Sequence, residues 1–437
     1  MMLEKQPHAF KIILVVALLV VGTAVLIGWR VVRGDDSLLR QVSFQHTEIR
    51  PNADGDTDIT LIEYTLSRNA TVSIYFENDA GQRFYFRNDR LRGAGDYRVY
   101  FGGIVDGYHL PDEQIDGEIL YRVLQNGTYT WTITAADDEG HTEQAQGQLV
   151  IANADTLLPE IRDFSLDKAA FTPNRDGIDD RLLIQLYLVK EVENLRVFVQ
   201  MPDGQELPIS EQERDIPANM PGRHTFDYEG GVDRGATPPP DGSYPIIAVV
   251  QDRIGQQVRV ADQVTIQFGG VPRGLIFPPP TGRTVEFNTR AVPLCHTLFF
   301  TLTVENYGNT PIRTTGPAPD TIYDSDWNYN TLGWHTESGA FRVGIGFENE
   351  LTNYPYRWAV GGPDDLEEID GHYYLMPGRR ALVTGGIRIV GPLGERNPQP
   401  MWAGLIHEDV QVVNTRVDVQ DILIDLPADL DAQSCED

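Results

Sequence analysis

Two patterns of apolar residues divide the chain. From Ile12 to Ile27 the residues are apolar apart from Gly22 and Thr23. With its flanking residues, this run is just long enough to cross a bilayer as a helix. After residue 40, apolar residues instead alternate with polar ones in short segments, which is the period of strands that bury one face. The sequence therefore predicts a short cytoplasmic head over 1–11, a transmembrane helix over 12–29 and an all-β remainder.

The predicted helix has the features of an uncleaved signal-anchor. There is no convincing small-x-small cleavage site before Trp29, and the run is long for the apolar part of a signal peptide. Lys5 and Lys11 before the span nearly balance Arg30 and Arg33 after it, so loop charge alone does not orient it. Because eleven residues cannot form a domain, we expect the C-terminal bulk of the chain to be extracellular.

Two consecutive segments, 41–152 and 160–268, carry the same order of strand-like runs and turns. Asn126-Gly127-Thr128-Tyr129 precedes the last strand pair of the first segment, and Asp241-Gly242-Ser243-Tyr244 occupies the same place in the second. A repeat of this size built from strands predicts tandem Ig-like β-sandwiches. The alternating residues predicted to face the two cores are Ile62, Tyr64, Leu66, Val72, Ile74, Phe76, Tyr129, Trp131, Ile133, Ala135, Leu182, Ile184, Leu186, Leu188, Leu195, Val197, Val199, Tyr244, Ile246, Ala248 and Val250.

Each segment also contains one copy of the pattern Pro-Asn-x-Asp-Gly-x-x-Asp, beginning at Pro51 and at Pro173. Oxygen ligands that converge from a short loop suit calcium, although the complete twelve-residue calcium loop is absent. The alternative is a turn in which Asn and Asp side chains bind their own backbone. The residues that would serve either role are Asn52, Asp54, Asp58, Asn174, Asp176 and Asp180.

Together these features resemble the Ig-like repeat of the flagellar hook-cap protein (FlgD) family, over about residues 41–268. The resemblance rests on Phe171-Thr172-Pro173-Asn174-Arg175-Asp176-Gly177 with Asp180, the later Gly222-Arg223-His224 strand, and the Asp241–Tyr244 turn. The first copy departs from the pattern, with Ile49-Arg50 before Pro51 and an insertion from Val105 to Gln125. The resemblance implies β-sandwich repeats that act as spacers or presentation modules, and it implies no specific activity.

The rest of the chain does not match the repeats. A Gly-rich and then Pro-rich stretch over 269–282 predicts a linker. Alternating segments over 283–427, including Leu298 to Val304 and Phe341 to Phe347, predict a third, distinct Ig-like β-sandwich. An acidic tail over 428–437 ends the chain.

A long loop of this last segment contains aromatic residues among acidic ones. Aromatic rings beside carboxylates suit a sugar, because the ring stacks on its apolar face and the carboxylates accept its hydroxyls. The alternative is that the loop folds over one end of the sandwich and packs its own rings, whereas Trp358 and Trp402 occupy strand-like settings typical of a core. The candidate ligand-binding residues are Asp324, Asp326, Trp327, Tyr329 and Trp334.

Composition narrows the partners. The chain has 64 acidic and 35 basic residues and a formal charge of −29, which argues against nucleic acid. Cys295 and Cys435 are the two cysteines; outside the cytoplasm they can pair as a disulfide, and otherwise they are free thiols. No zinc, serine-hydrolase or phosphate-loop motif is present, so we predict neither an enzyme nor a bound cofactor beyond the calcium considered above.

These observations predict a membrane-anchored bacterial surface protein with a structural, spacer or adhesion role. The two repeats would form a stalk, and the last domain would contact a cell-envelope polysaccharide or a protein. A carbohydrate-binding accessory protein of the envelope is the first alternative. A surface-polysaccharide hydrolase is the second, retained only because catalytic carboxylates could be hidden among so many acids.

Overall fold

A computed structural model describes residues 37–212, 216–427 and 435. The predicted head, the predicted membrane helix and nearly all of the predicted tail lie outside the described residues. Within the described ranges, no helix is both long and apolar enough to span a bilayer. These ranges form strands and one short 3-10 helix, Val232–Arg234, so the all-β prediction is confirmed.

The first domain packs a three-stranded sheet, in the order β1-β3-β6, against a five-stranded sheet, in the order β2-β10-β9-β4-β5. The predicted alternation is confirmed, because Ile62, Ile74 and Ile133 are fully buried between the sheets. The strands of this part of the chain are β1 (Leu39–Phe44), β2 (Glu48–Ile49), β3 (Thr60–Leu66), β4 (Ala70–Glu77), β5 (Arg83–Arg92), β6 (Gly95–Phe101), β7 (Ile104–Asp106), β8 (Glu118–Val123), β9 (Gly127–Ala136) and β10 (Thr142–Ile151).

The second domain repeats this plan. Its three-stranded sheet β11-β13-β16 matches β1-β3-β6 of the first domain. The two sheets also share a β-bulge: β1 shifts register against β3 near Gln41, and β11 shifts register against β13 near Asp163. Both residues have positive φ. The strands are β11 (Ile161–Leu166), β12 (Ala170–Phe171), β13 (Leu182–Leu188), β14 (Asn194–Gln200), β15 (Glu206–Pro208), β16 (Gly222–Tyr228), β17 (Gly242–Gln251) and β18 (Gln257–Ile266).

The insertion from Val105 to Gln125 joins the first two domains. It forms the hairpin β7-β8, and β8 pairs antiparallel with β18, so that Ile119 lies opposite Val258. The second sheet of the second domain therefore runs β15-β14-β17-β18-β8-β7. Ile119 is buried in the core of the second domain. A strand from one domain thus completes the sheet of the next.

The third domain begins earlier than the sequence suggested. The predicted linker over 269–282 is wrong at its centre, because Gly274–Ile276 forms a strand that pairs with β22. Gly-rich composition here reflects close packing, since a Cβ on Gly274 would contact Leu405 and Phe341. The strands are β19 (Gly274–Ile276), β20 (Glu286–Phe287), β21 (Ala291–Pro293), β22 (Thr297–Asn306), β23 (Ile312–Thr314), β24 (Ile322–Asp324), β25 (Phe341–Phe347), β26 (Tyr356–Ala359), β27 (Glu367–Ile369), β28 (His372–Leu375), β29 (Arg380–Arg388), β30 (Gln399–His407) and β31 (Gln411–Asp425).

The two sheets of the third domain follow the orders β19-β22-β29-β24 and β21-β31-β30-β25-β23-β28-β27. The prediction that β22 buries one face is confirmed by Leu298, Phe300 and Val304. The prediction that β25 has one exposed face is wrong. Arg342 and Gly344 on its other face are buried as well, because Tyr354 covers Gly344 and Glu408 pairs with Arg342.

Replacing Ile119 should destabilise the second domain, although the residue belongs to the insertion of the first. We expect Ile119→Ala to cost about 2–4 kcal/mol, because it opens a cavity in the core that Ile119 completes. Hydrogen exchange of the β17 and β18 amides measures this. Tyr121→Ala is the control, since Tyr121 on the same strand is 44% exposed. Loss of protection confined to the first domain would contradict the assignment.

Candidate functional site

The two Pro-Asn-x-Asp-Gly loops adopt one geometry. In the second loop the Asp180 carboxylate accepts hydrogen bonds from the backbone N–H groups of Asn174, Asp176 and Gly177, at 3.3, 3.1 and 2.7 Å. Asn174 Oδ1 accepts from Asp176 N–H at 2.9 Å, and Asp176 Oδ1 accepts from Ile178 N–H at 2.8 Å. Each side chain therefore binds the backbone of its own loop, as in an Asx turn.

The first loop repeats these bonds with its own residues. Asp58 accepts from the N–H groups of Asn52, Ala53 and Gly55 at 3.1, 2.9 and 2.7 Å. Asn52 accepts from Asp54 N–H at 3.0 Å, in the same role as Asn174. The backbone also matches, because Gly55 and Gly177 have φ of 88° and 85°, a conformation that costs glycine little.

The loops differ in what covers them. Asp54 is exposed, and hydrogen bonds from the Asp56 N–H and the Asn52 side chain hold its pKa below the usual range. Asp176 is only 5% exposed, and burial raises its pKa. Burial and the adjacent Asp176 carboxylate raise the pKa of Asp180 to about 6. The pKa of the corresponding aspartate is thus lowered in the first loop and raised in the second, because the third domain covers only the second loop.

Two side chains of the third domain hold the backbone of the second loop. Arg313, 3% exposed, donates from Nε to the Asp176 carbonyl at 2.6 Å and from Nη2 to the Ser338 carbonyl at 2.6 Å. His407 Nε2 lies 2.8 Å from the Arg175 carbonyl, so it is the protonated nitrogen. Tyr374 hydroxyl donates to the Asp176 carboxylate at 3.3 Å. The loop is therefore the joint between the second and third domains.

Two glycines let the backbones approach at this joint. A Cβ on Gly339 would lie 2.1 Å from the carbonyl carbon of Asp176, and a Cβ on Gly177 would lie 2.1 Å from the Ser338 oxygen. Neither distance is compatible with a side chain. The two domains therefore meet backbone to backbone.

The joint between the first and second domains uses Gln256, which is fully buried. Its side-chain amide donates to the Leu157 carbonyl at 2.9 Å, and its oxygen accepts from Val123 N–H at 3.3 Å. Lys190 Nζ lies 2.7 Å from Asp155 and 3.1 Å from buried Asp252. Together with the β8-β18 pairing, these contacts connect the domains through backbone and side chains alike.

The proposed calcium ligands remain a prediction. In both loops the Asn and Asp oxygens that would bind the ion already accept backbone N–H groups. Among the described residues, no group of three or more His, Cys, Asp or Glu side chains lies close enough to hold a metal ion.

The predicted aromatic platform is not assembled. Tyr329 is 7% exposed and belongs to the core of the third domain, with the Arg357 guanidinium 4.2 Å above its ring. Trp334 is half-buried against that core, and only Trp327 is exposed, at 37%. Asp324 forms two bonds with Arg388, at 2.6 and 2.8 Å. The loop thus packs its own rings.

The remaining sequence candidates fall in different places. Asp326 is exposed beside Trp327. Trp358 and Trp402 are buried, at 0% and 5% exposed, as their strand settings predicted. Cys295 and Cys435 form a disulfide, with Cα atoms 5.4 Å apart, which ties the chain end to the third domain.

The sequence did not identify the charged residues inside the third domain. Glu408 accepts from Arg357 at 2.8 and 2.9 Å and lies 3.3 Å from Arg342, all three being buried. His407 and Glu408 are adjacent in sequence, yet one contacts the second domain and the other pairs inside the third. An arginine within an otherwise apolar strand was the available signal, because a buried charge requires a partner.

No protein-family model matches the chain, and no curated protein matches it. Among solved structures, one neighbour is a tetra-tandem repeat in the extending region of a large adhesion protein. It is 12% identical, with 85% of this chain and 71% of that chain covered and a TM-score of 0.19. A Ca2+-stabilized adhesin that helps an Antarctic bacterium reach out and bind ice is 11% identical, covering 90% and 74%, with a TM-score of 0.25.

A third neighbour is SGBP-B of the Bacteroides ovatus mixed-linkage glucan utilization locus, in complex with a mixed-linkage heptasaccharide. It is 12% identical, covering 87% of this chain and 66% of that chain, with a TM-score of 0.15. At identities and TM-scores this low, these likenesses carry no functional argument.

The joint should respond to pH through His407. Burial lowers the pKa of His407 to about 4 from its ordinary 6.5, so the unfolded chain binds a proton first as the pH falls. The stability that neutral His407 contributes is therefore complete above pH 6.5 and is lost towards pH 4. The loss amounts to about 3 kcal/mol.

The matched comparison is between the unmodified protein and His407→Gln. The difference in their unfolding free energies for the third domain should be largest near pH 7 and should shrink towards pH 4.5. Taking the difference cancels Asp180, whose raised pKa acts with the opposite sign because protonation favours its folded form. A difference that stays constant over this range would contradict the prediction.

Calcium should not change the melting temperature of the described domains, because the loop oxygens are already engaged. The measurement compares thermal unfolding in excess calcium with unfolding in a chelator. A melting temperature that is higher in calcium than in chelator, with the difference lost in Asp58→Asn or Asp180→Asn, would show that the loops rearrange to bind the ion.

Proposed function

We propose that the protein is a surface spacer, in which the first two domains form a stiff stalk that holds the third domain at a fixed distance from a membrane anchor over 12–29. The observation that carries the proposal is the construction of the joints. A flexible linker between domains makes few contacts. Here Arg313 and His407 bind backbone carbonyls across one joint, and β8 extends a sheet across the other.

The repeat plan supports the same role. In both repeats the Pro-Asn-x-Asp-Gly loop lies at the end of the domain from which the chain continues into the next domain. Gly270 N–H donates to the Pro173 carbonyl at 3.0 Å, and Asp155 N–H donates to the Pro51 carbonyl at 3.0 Å. The proposal includes that the first two domains are Ig-like repeats of the flagellar hook-cap (FlgD) type. The third domain would make the adhesive contact.

The glycan-binding alternative loses its predicted site, because Tyr329 and Trp334 pack on the core. The hydrolase alternative gains little support, because the two most buried carboxylates of the described residues, Glu408 and Asp252, are held by Arg357 and by Lys190 with Gln256.

The spacer proposal predicts a narrow distance distribution between the first and third domains. Spin labels at Asn88→Cys and Asp364→Cys, both exposed positions, would report it by double electron–electron resonance. The two native cysteines are paired and leave these labels unique. A broad distribution in the otherwise unmodified protein would sink the proposal.

Gly339→Ala should broaden this distribution, because the new Cβ must displace the backbone of the second loop. Gly378→Ala is the matched control. Gly378 has φ of 73°, close to the 81° of Gly339, but no atom lies within 4 Å of its Cβ position. Both variants therefore carry the same backbone strain, and only Gly339→Ala disturbs the joint. Equal distributions in the two variants would show that this contact does not set the geometry.

A further inference from the structure

The open side of the first domain carries an unusual group of arginines. The strands β5 and β6 are the outer strands of the two facing sheets and are joined by Gly93 and Ala94. The chain thus crosses from one sheet to the other here, and within the described residues no further strand pairs with β5 or β6, so this side of the sandwich is open.

Three arginines of β5 lie on the core-facing side of this opening. Arg87, Arg90 and Arg92 stand opposite Ile74, Val72 and Ala70 on β4, all of which are buried in the core. Opposite residues of an antiparallel pair point to the same face. The three guanidinium groups therefore extend along the mouth between the sheets.

These arginines have no carboxylate partner within the described ranges. Their neighbours do: Arg83 on β5 pairs with Glu77 at 2.8 Å, and Arg98 on β6 pairs with Glu63 at 2.9 Å. The nearest acid of the strand, Asp89, accepts from the Ser73 hydroxyl instead. In a chain with a formal charge of −29, three unneutralised cations on one edge strand are unexpected.

Two of the three arginines lie against aromatic rings. The Arg87 guanidinium lies 4.4 Å from the Phe86 ring centre, and Arg92 lies 5.9 Å from that of Tyr97. Tyr97 stacks on Tyr64 at 5.0 Å. Burial raises the pKa of Tyr64, and a hydrogen bond from Arg92 with the charge of Arg87 opposes this. The Arg87 Nε is buried and has no hydrogen-bond partner, whereas Arg90 is exposed, so Arg90 is the most accessible of the three to a ligand.

We propose that Arg87, Arg90 and Arg92 bind the carboxylates of an acidic polysaccharide that runs along the open side of the first domain. Guanidinium groups bind carboxylates through paired N–H donors. Arg90 and Arg92 are two residues apart, about 6.5 Å along a strand. A polymer with a carboxylate on each sugar ring presents several anions in such a row.

The edge is a poor template for a peptide, which favours a polysaccharide over an acidic protein segment. The pairing of β4 with β5 shifts register between Val72 and Ile74 and again before Tyr75. Bulges and inward-pointing charges protect an edge strand against addition of another strand. Backbone pairing is therefore obstructed here, while the side-chain donors stay accessible.

The test measures binding of polygalacturonate to the full-length protein by biolayer interferometry, with neutral dextran and poly-L-glutamate as comparison polymers. We expect polygalacturonate to bind and the binding to weaken as salt increases. Arg90→Gln, at an exposed position that should leave folding intact, should weaken binding about tenfold or more. Adding Arg87→Gln and Arg92→Gln should abolish it.

The control is the double variant Arg83→Gln with Arg98→Gln, which removes one paired arginine from β5 and one from β6 and should bind as the unmodified protein does. Three results would overturn the proposal. These are absence of polygalacturonate binding, equal binding by the Arg90→Gln variant, and equal or tighter binding of poly-L-glutamate. The first would leave the arginines with edge protection alone.

Discussion

The second Pro-Asn-x-Asp-Gly loop presents its backbone to another domain, and the rest of the structure depends on that contact. A loop with unsatisfied N–H groups could not be buried without a large cost. Asp180 and Asn174 remove the cost by accepting those groups, which leaves the carbonyls of Arg175 and Asp176 pointing outward. His407 and Arg313 of the third domain then bind the two carbonyls. An internally satisfied loop thus becomes a rigid docking surface.

The first joint solves a different problem. A sheet that ends at β18 would expose an edge, and an exposed edge invites pairing with other chains. The insertion in the first domain supplies β8 to cover it, and Ile119 fills the core at the same time. The two joints therefore share one loop motif but use different means of attachment. This difference explains why the first loop is exposed and the second is buried.

Charge is distributed to match this construction. Buried charges lie where they are compensated, as with Glu408 between Arg342 and Arg357, because an uncompensated buried charge would be costly. The uncompensated arginines of β5 lie instead on the outer strand of a sheet, where Arg90 is exposed to solvent.

The sequence by itself determined the all-β class, the repeat and most of the core faces. Period-two alternation decides which residues of β3, β9, β13 and β22 are buried, since a one-residue slip would expose them all. The sequence also identified the Asn and Asp residues of both loops, because their spacing governs local hydrogen bonds to their own backbone.

Only the tertiary structure decided what each element contacts across the domains. Alternation gives a wrong answer for β25, where Arg342 is buried by a partner distant in sequence. The insertion gave no sign that β8 pairs with β18, because strand partners far apart in the chain leave no local pattern. For the same reason the sequence left open whether Tyr329 and Trp334 form a binding surface or pack on the core. Local periodicity records whether a side chain needs burial, whereas its partner is chosen by long-range packing.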